Sequence, residues 1–299
     1  MPLPVHGRFE YSALPKRPDY SWPQGKRLAM YVAVNVETFG FGMETGPVLG
    51  SALPLPDHRN WSWREYGNRI GLWRLLELFE ELKLPAAHLV NSYLYDTHPD
   101  IPAAIRARGD EFVGHGRTNS EKPGARPEDD ERKLIAEATA AIARHENRPP
   151  SGWMTPLMMP SGVTLDLLKE AGYRYVLDWP CDDQPFWMRT RAGPLLNVPY
   201  PVETNDFVPI LQLHHDPLQF METVVRQFEE LLDQSARQPL VFALSLHTMI
   251  SGQPHRLRAL RDGLRHMLGH QDFSRVWVTR PGEIAAHCAS LPPGIVPAS

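Results

Sequence analysis

Five short segments, each at the end of an apolar run, carry polar or charged side chains where a buried strand would stay apolar. They are Val34-Asn35-Val36-Glu37, Gly114-His115-Gly116-Arg117-Thr118-Asn119, Trp153-Met154-Thr155-Pro156, Leu177-Asp178-Trp179 with Asp182-Asp183, and Leu244-Ser245-Leu246-His247. Strands that alternate with helices pair in parallel and are buried on both faces, so they read as apolar runs. In barrels and open α/β sheets, ligands gather at the carboxyl ends of such strands. A Glu, two His and several Asp on one rim therefore outline an active site.

The spacing between these segments supports that architecture. Residues 28–36 form the first apolar strand, and a long irregular stretch, 38–63, follows as a lid or pocket wall. Apolar residues at helical spacing (Ile70, Trp73, Leu76, Phe79) predict a helix over 66–82. Further strands are expected at 86–91, 111–114, 152–154, 173–177, 240–246 and 276–278. The intervening helices are expected at 99–108, 127–146, 161–171, 217–235, 256–268 and 281–290, with a hairpin over 187–198 that turns at Ala192-Gly193-Pro194. The alternation predicts one β/α barrel, closed or nearly so, with an arm (1–27) packed on it, the barrel itself (28–290) and a tail (291–299).

Bulk properties narrow the partners. A net charge of −4, with Arg scattered among the helices, gives no electrostatic case for nucleic acid or an anionic membrane. No run approaches the roughly 18 apolar residues of a membrane span. The N-terminus has no apolar signal-peptide core, so a cytoplasmic location is expected. Cys181 and Cys288 are too few for a disulfide framework or a paired-cysteine metal site, and read as two reduced thiols.

Glu37 and Asn35 alternate onto one face at the mouth of the first strand. Partial desolvation would raise the Glu37 pKa toward that of a general base. His115, between two glycines, reads as a metal ligand, an electrophile or a buried core histidine. If the chain stays extended, Arg117 and Asn119 share its face and could recognise a ring amide or a carboxylate. His247 closes the most apolar strand and is the candidate proton donor. Asp182 and Asp183 are the expected orienting carboxylates, with Asp178 as a competitor. Trp61, Trp63, Trp153, Trp179 and Trp187 could form an aromatic wall.

In this order the segments resemble the polysaccharide deacetylase superfamily (carbohydrate esterase family four), over about residues 28–287. The likeness is to the branch with metal-independent allantoinases, cyclic imide hydrolases and peptidoglycan deacetylase-like proteins. It rests on Tyr66-Gly67-Asn68-Arg69-Ile70-Gly71, Asp182-Asp183-Gln184-Pro185-Phe186-Trp187, Val198-Pro199-Tyr200 with Thr204-Asn205-Asp206, and Leu246-His247 followed by Gly252-Gln253-Pro254. The resemblance implies an incomplete (β/α)7 barrel. It also carries the family's Asp pair onto Asn35 and Glu37, its first metal His onto His115, its second onto Asn119, and its late acid onto His247.

An amide is a poor zinc ligand, so no cofactor is expected, or at most a weakly held divalent ion such as zinc on Glu37, His115 and Asn119. The expected activity is hydrolysis of an amide, cyclic imide or ureide C–N bond. Glu37 would be the base and His247 the acid, oriented by Asp183. Asn35, His115, Arg117, Asn119, Trp153, Asp182, Trp187 and Asn205 would bind a small-molecule substrate. A metal-dependent N-deacetylase acting on an acetylated saccharide or amine is the alternative, and an inactive ligand-binding barrel the second. The resemblance also suggests a homo-oligomer.

Overall fold

The computed structural model describes residues 5–43, 46–122, 124 and 126–298. Residues 1–4 of the expected arm, Glu44 and Thr45 of the long segment after the first strand, and Ser299 of the tail lie outside the described residues.

The strands are β1 (Leu28–Val36), β2 (Ala87–Val90), β3 (Glu111–Gly114), β4 (Gly152–Trp153), β5 (Tyr175–Val176), β6 (Phe186–Met188), β7 (Leu195–Asn197), β8 (Leu240–His247) and β9 (Val276–Val278). They form one sheet in the order β6-β7-β5-β4-β3-β2-β1-β8, with β9 also paired to β1. Among the described residues, β1 to β5, β8 and β9 run parallel to their neighbours, and β7 is parallel to β5 and antiparallel to β6. Eight parallel strands in an open, curled sheet make an incomplete β/α barrel of the kind expected from the sequence, with the short β9 beside the lower half of β1.

Side-chain alternation along β1 and β8 builds two cores. Met30, Val32, Val34 and Val36 pack outward with Phe242, Leu244 and Leu246 beneath the helices. Ala29, Tyr31 and Ala33 point into the barrel with Val241 and Ala243. Continuing that inward alternation brings Asn35, Glu37, Ser245 and His247 to the upper end of the interior. The β1–β8 register, with Asn35 opposite His247, sets them side by side.

Helices α1 (His58–Tyr66), α2 (Leu72–Leu82), α3 (Leu94–Thr97), α4 (Asp100–Arg108), α5 (Glu128–Glu146), α6 (Thr164–Glu170), α7 (Pro217–Gln234), α8 (Thr248–Ser251), α9 (Pro254–Leu268) and α10 (Pro281–Ser290) surround the sheet. The helix expected from residue 66 begins earlier, at His58, because the Asp57 side chain accepts the Asn60 N–H and caps it. That shortens the irregular segment after β1. A π-turn over Gly67–Gly71 joins α1 to α2.

The free edge of β8 is not left bare. Ser245 N–H donates to Thr204 O, Asp206 N–H donates to Ser245 O, and lower down Val241 N–H donates to Asp183 O. The described part of the arm straps the lower, amino-terminal end of the barrel: Arg17 pairs with Asp182 at 2.7 Å, and Trp22 Nε1–H donates to Leu240 O at 3.0 Å. No helix among the described residues is long and apolar enough to cross a membrane. Both cysteines are free thiols, Cys181 exposed and Cys288 buried.

Candidate active site

At the upper ends of β1, β3 and β8, Glu37 lies between two imidazoles. His115 Nε2 is 3.5 Å and His247 Nε2 3.8 Å from the same oxygen, Glu37 Oε1, and that oxygen also accepts the Asn119 Nδ2–H at 2.5 Å. Glu37 is 5% exposed and its second oxygen, Oε2, has no hydrogen-bond partner. The four side chains border a cavity of about 200 Å³ whose other walls include Pro47, Leu157, Met158, Val202, Asn205, Phe207, Val208 and Gln212. Pro47 belongs to the long segment after β1, which thus supplies a pocket wall.

The two histidines differ in what their Nδ1 atoms meet, a carbonyl in one and a carboxylate in the other. His115 Nδ1 lies 2.7 Å from Met154 O, and a carbonyl only accepts, so Nδ1 carries the proton. In the neutral ring Nε2 then presents a lone pair to the cavity, and it is buried without a partner. His247 Nδ1 lies 2.7 Å from Asp206 Oδ1, a fully buried carboxylate that also accepts the His247 backbone N–H and the Ser251 hydroxyl. Burial alone would lower the His247 pKa; the charge and hydrogen bond of Asp206, with the Glu37 charge, outweigh it and hold it above its ordinary 6.5.

Burial alone would likewise raise the Glu37 pKa. The His115 ring in its protonated form, the His247 charge and the Asn119 amide reverse that and hold it below its ordinary 4.5. The raised value expected from the sequence is therefore corrected: the carboxylate is desolvated, but it is surrounded by donors and positive charge.

Local structure explains the placement. Asn68 Nδ2–H, on the π-turn, donates to Glu37 O at 2.8 Å and pins the end of β1. A Cβ on Gly67 would sit 2.3 Å from Thr248 Oγ1, and one on Gly71 would sit 2.0 Å from Thr248 O. Only glycine lets this turn approach the residue that follows His247. The π-turn thus braces both rim groups, in keeping with the association of such turns with functional sites.

Several sequence expectations are corrected. Asp183 does not orient His247: its carbonyl is bonded to Val241, six residues down β8, which puts it about 20 Å away at the opposite end of the barrel. Asp182 is bonded by Arg17 there. The competitor, Asp178, faces Thr155, accepting its N–H and its hydroxyl, both at 2.6 Å, and burial pushes its pKa up to about 6.

Arg117 points away from the cavity and pairs with Glu121 and Glu137, because the chain turns at Gly116, with φ +70°, and does not stay extended. Trp153 is a core residue stacked edge-on against Tyr173. Trp187 lies on β6 beside the tail, where its backbone N–H donates to Pro297 O. The expected wall of tryptophans does not form; Phe207 is the aromatic ring at the cavity and lies 5.6 Å from His247.

Asn35 reaches the cavity, but its amide is spent on Tyr200, Ser245 and Leu246. Asn205 also borders it, its side-chain oxygen accepting the Phe207 N–H. Asp206 was missed as the partner of His247. The segment Thr204-Asn205-Asp206 carries part of the family resemblance, but nothing in it marks Asp206 as the partner of His247, because the pairing of this loop with β8 has no periodic signature.

The residues do not compose a zinc centre. Of the three positions that could ligate, Glu37 and His115 offer a free oxygen and a free nitrogen, whereas Asn119 turns its NH₂ toward Glu37 and its oxygen toward Asn91. Zinc sites need at least three protein donors. Among the described residues, no group of three or more His, Cys, Asp or Glu could hold a metal ion.

The polysaccharide deacetylase family profile matches residues 65–176. A Schizosaccharomyces pombe protein, provisionally named a polysaccharide deacetylase, is 26% identical over 294 residues, spanning 88% of this chain and 91% of its own. The crystal structure of PuuE allantoinase superposes with a TM-score of 0.82 at 28% identity, covering 93% of this chain and 95% of that one. A Pseudomonas aeruginosa PAO1 crystal structure, also provisionally named a polysaccharide deacetylase, gives 0.80 at 27% identity over 91% and 94%.

Proposed function

Because the chain belongs to the polysaccharide deacetylase superfamily, we propose that it is a hydrolase of non-peptide C–N bonds whose substrate is a small amide, cyclic imide or ureide, and that its own side chains supply both acid and base. The observation behind this reading is one carboxylate between two imidazoles whose Nδ1 partners differ, a carbonyl for His115 and a carboxylate for His247. Environments that push titratable neighbours apart are the usual mark of an acid and base pair.

With the His115 ring neutral, the unpartnered Glu37 Oε2 and His115 Nε2 are two acceptors for the two O–H groups of one water. That water keeps a lone pair for the substrate carbonyl. Glu37 takes its proton as the C–O bond forms, and the cationic His247, held by Asp206, is the positive charge nearest the developing oxyanion. As the C–N bond breaks, His247 Nε2–H passes to the leaving nitrogen and closes the proton balance.

Two features favour a small activated ring over an acetylated saccharide. A carboxylate with a lowered pKa is a weak base, which suits a strained or conjugated imide better than an unactivated acetamide. The cavity, about 200 Å³ with apolar walls from Leu157, Val202 and Phe207, matches one ring rather than a sugar chain.

The test is a panel of cyclic imides, ureides and N-acetyl sugars, assayed with wild type, Glu37→Gln and His247→Ala. Turnover of an imide or ureide that drops about 10²–10⁴-fold in both variants is expected. Wild-type rates in either variant would remove that residue from the mechanism, and activity only on acetylated sugars would favour the deacetylase alternative.

A further inference from the structure

Behind Asn119 stands a second buried amide, Asn91, which takes no part in the chemistry above. It is fully buried just beyond β2 and touches three groups. Asn91 Oδ1 accepts the Thr38 backbone N–H at 2.8 Å, while its Nδ2 donates to His115 O and, at 3.2 Å, to Asn119 Oδ1.

Two of these contacts leave the Asn91 amide only one orientation. A backbone N–H can only donate and a backbone carbonyl can only accept. Turning the amide over would set NH₂ against N–H and oxygen against oxygen. With Nδ2 so directed, Asn119 must receive it through Oδ1, and its own NH₂ is left facing Glu37. The Asn119 backbone N–H, donating to Thr38 O at 2.9 Å, keeps this residue in place. The direction of every hydrogen bond as far as Glu37 Oε1 is thus dictated by two main-chain groups.

We propose that Asn91 is a positioning residue that, through Asn119, holds a donor on Glu37 and turns the position-119 oxygen away from the site. Without that constraint the Asn119 amide is free to rotate and offer an oxygen to Glu37. An oxygen in that place destabilises the carboxylate and supplies the third donor that a divalent ion lacks. Asn91 thus keeps Glu37 ionised and keeps the pair Glu37 and His115 from becoming a metal site. The significance of this role rests on Glu37 being the base, but the relay itself can be tested without any substrate.

The measurement is the ¹³C titration of the Glu37 side-chain carboxyl, assigned by its loss in Glu37→Gln, in wild type, Asn91→Ala, Asn119→Ala and the double variant. Removing the charge-assisted donor in Asn119→Ala is expected to raise the midpoint by about one to two pH units. Asn91→Ala should raise it by a smaller amount, and the double variant should match Asn119→Ala alone, since Asn91 acts only through its neighbour. If Asn91→Ala does not fold, Asn91→Ser serves instead; its hydroxyl is polar in the same buried place but one bond too short to make the contact with Asn119. A midpoint unchanged by loss of Asn91, or shifts that add in the double variant, overturns the proposal. Either result leaves the assignment of Glu37 as base to be judged separately by the substrate panel.

Discussion

The Asp206 carboxylate accepts both the ring Nδ1–H and the backbone N–H of His247, so one buried anion fixes the orientation and the charge of the proton donor. The loop bearing Asp206 pairs with β8 through Asn205 and Ser245, which explains the short contact across 41 residues of sequence.

Replacing Asp206 with Asn removes the charge that raises the His247 pKa. The alkaline limb of kcat/KM is expected to move to lower pH, and kcat to fall by about 10²–10⁴-fold. Asp183→Asn, at the far end of the strand, should leave both unchanged. Steady-state kinetics across pH on the two variants checks this.

The same pair should shape stability against pH. His247 has a raised folded pKa, so its contribution is fully present below 6.5 and lost as pH rises through the folded value. Glu37 has a lowered one, so its contribution is present above 4.5 and lost as pH falls through the folded value. Thermal unfolding should therefore show the largest stabilisation from this pair between those limits. His247→Gln should remove its share of the alkaline decline, measured as Tm against pH.

The missing third zinc donor can be supplied. Asn119→His should raise zinc affinity on the order of 10–100-fold over wild type, a change of the size that altered ligand environments produce. Because it also removes the Glu37 donor, metal-free activity should drop in the same variant. Titration calorimetry and assays in chelator check the two effects.

Gly71→Ala forces a methyl to within 2.0 Å of the Thr248 carbonyl oxygen. Overpacking of this kind costs about 1–3 kcal/mol, and the turn after His247 must shift to relieve it. Both a lower Tm and a lower kcat are expected, whereas Gly162→Ala, with open space around its Cβ site, should have little effect on either.

Much of the barrel was legible because it rests on local pattern. Apolar runs and helical periodicity located the strands and most helices, and strand alternation carried Asn35 and Glu37 to one face. The order of residues at the rim likewise put Glu37, His115, Asn119 and His247 together. What stayed hidden depends on contacts between distant segments. Asp206 reaches His247 through a single bridge beside β8, and Arg117 leaves the rim because Gly116 adopts a positive φ. Asp182 and Asp183 sat close in sequence to a strand end, but the chain carries them to the bottom of the barrel before β6 begins. The lowered Glu37 pKa also escaped, since it needs the count of donors around the carboxylate and not only its burial.

The most direct test of the central claim is the pH dependence of kcat/KM, measured in chelator on the panel compound that wild type hydrolyses. An acid limb with a pKa below 4.5, from Glu37, and an alkaline limb above 6.5, from His247, are predicted. A rate that vanishes in chelator and returns with added metal, or that climbs with pH through neutrality without an alkaline limb, would contradict an ionised Glu37 working beside a protonated His247.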